Sequence, residues 1–185
     1  NHLLTSLNRW VNEQPDEEAD RQRVKDHIQI RDGKLQVYGD LDLRGCHELT
    51  TLPEGLSVTG YLNLNGCTSL TALPERLSVG EGLNLWGCKN LTVLPEGLSV
   101  EGDLYLSHCT SLTTLPNGLS VGRDLNLAYC TSLTSLPEEL SVGEHINLEY
   151  CSNLTALPNG VSMVGGDLSL YDCTRITALP EWVFN

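Results

Sequence analysis

Seven cysteines are the residues best equipped for chemistry in this 185-residue chain, and their spacing is regular. They stand at positions 46, 67, 88, 109, 130, 151 and 173, so successive gaps are 21 residues until the last, which is 22. Thiols can pair as disulfides, hold zinc or attack as nucleophiles. An odd number cannot all pair within one chain. A disulfide between side chains in parallel register is also disfavoured, because the bond needs a dihedral near 90°. Zinc sites use close pairs of the Cys-x-x-Cys type. His47 and His108 adjoin Cys46 and Cys109, but no such pair exists. The reading that remains is a column of small buried thiols, which free cysteines commonly form. Free thiols point to a reducing compartment, the cytosol. Other catalytic signatures are missing: there is no Gly-rich phosphate loop, no His-Glu-x-x-His and no Gly-x-Ser-x-Gly. His108 with Tyr129, or His145 with Glu149, can meet on one face. An open sheet does not enclose them as catalysis usually requires. The expectation is a protein that is not an enzyme and carries no metal and no cofactor.

The elements that position these thiols follow from the repeat. Each unit reads Leu-x-Leu-x-x-Cys-x-x-Leu-Thr-x-Leu-Pro-x-x-Leu-Ser-Val, as in Leu104-Tyr105-Leu106-Ser107-His108-Cys109 and onward to Pro116. A fixed period of this length with this leucine pattern marks a leucine-rich-repeat solenoid. Leu-x-Leu is a short strand with alternate side chains inward. Stacked coils form a parallel sheet at about 4.8 Å per strand. The later leucines and the Leu-Ser-Val segment point inward again, and no coil buries its apolar face alone. Proline in the Leu-Pro step excludes a long helix on the return side. Gly60, Gly80, Gly102 and Gly122 are expected to permit the turn into the next strand. The longer last gap places a small bulge within Val161-Ser162-Met163-Val164-Gly165-Gly166.

The expected fold class is an α/β-type leucine-rich-repeat solenoid. It has a parallel concave sheet of about seven coils and an irregular convex side. Residues 1–32 form a helical N-terminal cap and 33–185 the repeats. In the cap Leu3, Leu4, Leu7, Trp10 and Val11 recur at helical spacing, and Pro15-Asp16-Glu17-Glu18 opens a second helix with Ala19, Val24 and Ile28 as its apolar side. The pair caps the core or docks a partner. Trp182 and Phe184 cap the far end or mark where further chain follows Asn185.

Function on such a scaffold lies in the outward residues of the strands and the turn after them. Ten residues are aromatic, and Tyr61, Trp86, Tyr105, Tyr129, Tyr150 and Tyr171 fall on this one face. With His108, His145 and Glu149 they form the expected partner-binding set. Tyr and Trp are common interface anchors, although rings on a sheet also shield neighbouring strands. Asn63, Asn84, Asn126 and Asn147 share one position, as an amide ladder would. The chain carries 24 acidic and 11 basic residues, a formal charge of −13. That excess argues against nucleic acid and anionic membrane surfaces. It suits a protein partner with a basic surface, bound by a monomer.

The Leu-Thr-x-Leu-Pro-x-x-Leu unit, as in Leu112-Thr113-Thr114-Leu115-Pro116-Asn117-Gly118-Leu119, resembles the short units of bacterial leucine-rich-repeat proteins. With the helical segment around Trp10, the chain also looks like secreted effectors of Gram-negative pathogens, including the novel E3 ubiquitin ligases. The resemblance implies a recognition domain acting in host cytoplasm after secretion, or the substrate-recruiting part of a larger enzyme. The departures are the 21-residue unit with Cys-x-x-Leu, and the lack of the Cys-x-Asp that carries ligase chemistry.

Overall fold

The computed structural model describes residues 2–163 and 165–184. The chain is a β-solenoid behind a short helical segment. The Leu-x-Leu segments Leu41–Asp42, Leu62–Asn63, Leu83–Asn84, Leu104–Tyr105, Leu125–Asn126, Ile146–Asn147 and Leu168–Ser169 form a seven-stranded parallel sheet, the front sheet. Leucine faces leucine across the front sheet, as in Leu62↔Leu83. Both inward aliphatic residues of each coil from Leu41 to Leu148 are buried (Leu and Leu, or Ile146 and Leu148), whereas the residues between them face out.

The opposite side is not irregular, which corrects the sequence reading. Leu56–Val58, Ser78–Val79, Ser99–Val100, Ser120–Val121, Ser141–Val142 and Ser162–Met163 stack as a second parallel sheet, the back sheet. The physical reason is alternation: Leu and Val point inward and the serine between them points out, which is the period of a strand. The serines expected inside are therefore outside. The α/β description is corrected too. Among the described residues the repeats contain no α-helix, only a 3₁₀ turn at Glu181–Phe184.

The turn glycines act through space. None of Gly60, Gly80, Gly102 and Gly122 has the positive φ that would call for glycine. A Cβ on Gly122 would instead overlap the Glu101 carbonyl oxygen of the preceding coil. The extra residue of the last gap lies between Met163 and Leu168, because Ser141 still pairs with Ser162 while Ile146 pairs with Leu168. Val164, within the 161–166 stretch where a bulge was expected, lies outside the described residues.

Cys46 through Cys151 are fully buried, and Cys173 is partly exposed. From Cys67 to Cys173 each thiol donates to the second leucine's carbonyl in the coil before, at 2.9 to 3.2 Å. Cys109 Sγ, for example, donates to the Leu85 carbonyl. The column thus stitches coil to coil with weak S–H donors. Burial pushes the thiols up, to about 11 for Cys46 and about 12 for Cys67, Cys88 and Cys151. Cys109, Cys130 and Cys173 are raised as well, burial again leading. A chromogenic disulfide reagent at pH 8 is expected to titrate Cys173 quickly and the other six only after guanidinium is added. Rapid native reaction of several thiols would contradict this packing.

The N-terminal segment supplies what a preceding coil would have supplied. It consists of α1 (His2–Asn12), a 3₁₀ turn at Pro15–Glu17 and α2 (Glu18–His27). It continues into β1 (Gln29–Arg31), antiparallel to β2 (Lys34–Val37), which starts the back sheet. Leu7, Trp10, Val11 and Val24 pack inward. Ala19, expected inside, is exposed, and Arg21 is buried in the same helix. In later coils Thr71 and Thr92 donate N–H to Thr50 and Thr71 of the coil before. Thr50 has no coil before it, and its N–H and hydroxyl donate to Glu17 instead. Likewise Asp20 accepts the Glu48 N–H, and Arg23 donates to the Asp42 carbonyl. At the far end Trp182 donates to the Pro158 carbonyl, whereas Phe184 is 75% exposed and covers little. Among the described residues no helix is long and apolar enough to cross a membrane.

Candidate functional site

One column of the front face departs from what folding alone requires. The residue before each cysteine turns the chain out of the front strand in the left-handed region. Gly45, Gly66 and Gly87 do so at φ 70°, 71° and 72°. His108, Tyr129, Tyr150 and Asp172 hold the same conformation at 62°, 61°, 59° and 59°. Among the described residues only Asp32 and Arg76 are other non-glycines with positive φ. A Cβ in this region costs about 1–2 kcal/mol, and glycine avoids that cost.

The side chains placed there touch one another. His108 stacks on Tyr129 with centroids 4.5 Å apart and planes 7° apart, and Tyr129 stacks on Tyr150 at 4.4 Å and 11°. Trp86 meets His108 edge-on at 5.3 Å, and Tyr150 meets Tyr171 edge-on at 5.4 Å. The strand spacing of a parallel sheet is close to a ring-stacking distance, so rings in register stack. Such contacts contribute about 0.5–1.5 kcal/mol each. That roughly offsets the strained backbone and leaves little net stability. Burial and the neighbouring Tyr129 and Tyr171 phenols raise the Tyr150 pKa. Trp86 is 46% exposed and Tyr171 66%.

The other expected site residues lie beside this ladder. The Tyr61 ring lies against Gly82 of the next coil, where a Cβ would come within 2.7 Å of it. Burial raises its pKa, a bond from the Asn84 side chain opposes this, and the Asp103 charge adds to the rise. Tyr105 donates its hydroxyl to Asp103. His145 and Glu149, read as a possible pair, have other partners. His145 Nδ1 accepts the Asp167 N–H at 2.8 Å, and Glu149 Oε1 accepts the Ser169 hydroxyl at 2.7 Å. The face acids also serve the backbone: Asp40, Asp103 and Asp124 each accept an N–H from the next coil. The asparagines do not need one another for their oxygens. Asn63, Asn84, Asn126 and Asn147 each accept the N–H two residues on within their own coil.

Below the Trp86 end of the ladder is a hollow of about 400 Å³ lined by Asn65, Asn84, Trp86, Tyr105, Ser107 and Asn126. Of these only Trp86 and Tyr105 were in the expected binding set. The asparagines and serine were visible as outward residues, but nothing in their order says that they surround a hollow. Asp124, Glu144 and His145 bring a ligand atom each within 4.8 Å of one another. All three are engaged: Asp124 with the His145 N–H, Glu144 with Arg123 at 3.3 Å, and His145 Nδ1 with Asp167. With Nδ1 accepting, the imidazole proton sits on Nε2, so neither nitrogen offers a free lone pair.

No protein-family model, no curated protein and no solved structure matches this chain. The functional reading therefore rests on this face.

Proposed function

We propose that the chain is a leucine-rich-repeat recognition module that binds a protein partner with a basic surface along the aromatic column of its front sheet. The leucine-rich-repeat assignment is supported by the Leu-x-Leu-x-x-Cys unit and its stacking as a parallel sheet. The observation that carries the binding reading is the column at His108, Tyr129 and Tyr150. Large rings occupy left-handed positions that earlier coils give to glycine. Strain of this kind, which ring stacking only roughly offsets, clusters at sites of function. Half-exposed Trp86 and exposed Tyr129 and Tyr171 supply the ring types that dominate interface energetics. The charge of −13 selects a basic partner and accelerates its approach.

The test compares the native chain with Trp86→Ala, Tyr105→Ala, Tyr129→Gly, Tyr150→Gly combined, as paired baits in candidate host-cell lysate. Glycine at 129 and 150 relieves the backbone strain that alanine would keep, so the fold should survive, as circular dichroism will report. A partner bound by the native chain is expected to be held at least about 100-fold more weakly by the variant, given about 2 kcal/mol or more for each anchor. Equal retention by both baits would refute the proposal.

A further inference from the structure

We infer that the hollow beside Trp86 receives an arginine side chain of the partner. This rests on the reading of the front sheet as a docking face for a basic protein, and it names the group that anchors there.

The hydrogen-bonding state of the lining selects the ligand. Ser107 gives its hydroxyl proton to Asn126 Oδ1 at 2.8 Å, and Tyr105 gives its own to Asp103 Oδ2 at 3.2 Å. Both hydroxyl oxygens therefore meet an incoming group as acceptors. Asn84 Oδ1 and Asn126 Oδ1 accept backbone N–H groups, whereas the Asn65 carboxamide has no hydrogen-bond partner among the described residues, so its oxygen adds a third acceptor and its amide group, like that of Asn126, adds N–H donors. A guanidinium carries five N–H donors and no acceptor, so it matches such a lining. The indole of Trp86 is the best aromatic surface for a cation, and it is half exposed at the rim. It meets His108 at an interplanar angle of 63°, so no parallel ring is stacked on it there. Behind Tyr105, the Asp103 carboxylate polarises the phenol and adds negative potential without lining the hollow. Lysine fits less well, because a compact ammonium neither stacks on the indole nor spans the separated acceptors.

The test is a titration of the ¹⁵N-labelled chain with N-acetyl-arginine methylamide, read at the Trp86 indole N–H and the Asn65 and Asn126 side-chain amides. Parallel titrations use the lysine and leucine analogues and maltotriose. Saturable shifts are expected with the arginine probe in the millimolar range, and weaker ones with lysine. Trp86→Ala should weaken the arginine interaction roughly tenfold. Tyr105→Phe, which removes the acceptor oxygen and its bond to Asp103, should weaken it while leaving the spectrum of the fold intact. No saturable shift, an equal response to leucine, or a stronger response to maltotriose would overturn the inference. If the arginine probe fails while capture of a protein still depends on the four rings, only this inference falls. If capture is also independent of the rings, the docking reading falls with it.

Discussion

Raising the pH from 8 to 10 is expected to unfold this protein, and the thiol column sets the slope. The six fully buried thiols have folded pKa values raised from an ordinary 9.0 to about 11, about 12 or beyond. Burial is the largest cause in each. Well below pH 9 the thiols are protonated in both folded and unfolded chains and contribute little pH dependence. Above it, the unfolded chain releases thiol protons that the folded chain keeps, so the unfolded state gains. Each such thiol costs roughly 1–2 kcal/mol of stability at pH 10. Six together approach about 8 kcal/mol, comparable with the whole stability of a typical domain. Urea midpoints followed by circular dichroism, with reductant present, should be nearly flat from pH 7.5 to 8.5 and then fall steeply. The slope between pH 9 and 10 should correspond to several protons released on unfolding. A slope below one proton would mean that the thiols are not sealed in the core.

The thiol column was legible in the sequence because a period of 21 leaves no other place for Cys46 through Cys173. Their position after Leu-x-Leu puts them at the corner of each coil, where burial follows from stacking. The front sheet was legible for the same reason. The back sheet was also written there, in the alternation of Leu56-Ser57-Val58 and its copies, but the preceding proline suggested an irregular return. Proline ends before the strand begins, so the two signals do not conflict.

The site was readable by composition and only partly by geometry. Gathering the aromatic residues on one face required only the repeat. Which rings touch required the turn conformation, and that signal was present: Gly45, Gly66 and Gly87 at one repeat position mark a left-handed turn. His108, Tyr129 and Tyr150 then inherit that turn. His108 thereby enters the stack, while Tyr61 and Tyr105, in other columns, do not. His145 and Glu149 look reactive in a sequence and are engaged in holding coils together. Their roles depend on partners one coil away, which spacing alone brings near without saying which atom bonds which.

The closing of the N-terminal end was the least legible element, and it yields the second large prediction. Glu17→Ala should destabilise the chain by about 3–5 kcal/mol, the usual result of removing one partner of a buried ion pair. Glu17 and Arg21 are 7% and 3% exposed, and Arg21 Nε donates to Glu17 Oε2 at 2.8 Å. Without the carboxylate, Arg21 keeps the Trp10 carbonyl and ring and the exposed Glu13 carboxylate at 3.9 Å, and the Thr50 N–H loses its acceptor. Burial by itself would raise the Glu17 pKa. The bonds from Arg21 and Thr50, with the Arg21 charge, outweigh it and hold the pKa below the ordinary 4.5. A depressed folded pKa contributes stability above the unfolded value and loses it as pH falls through the folded one. The native chain should therefore weaken below about pH 4.5, and the Glu17→Ala chain should lose part of that acid sensitivity. Glu17→Gln should fall between the two, because its amide oxygen can still accept the Thr50 N–H while Arg21 loses its buried counter-charge and keeps only the exposed, longer pair with Glu13. Urea denaturation at pH 7 and pH 4 measures all three. A loss under about 1 kcal/mol for Glu17→Ala would mean that the helices merely lie against the first coil. A loss of the expected size would mean that a single carboxylate takes over the hydrogen bonds of a missing coil, which is what a solenoid end requires.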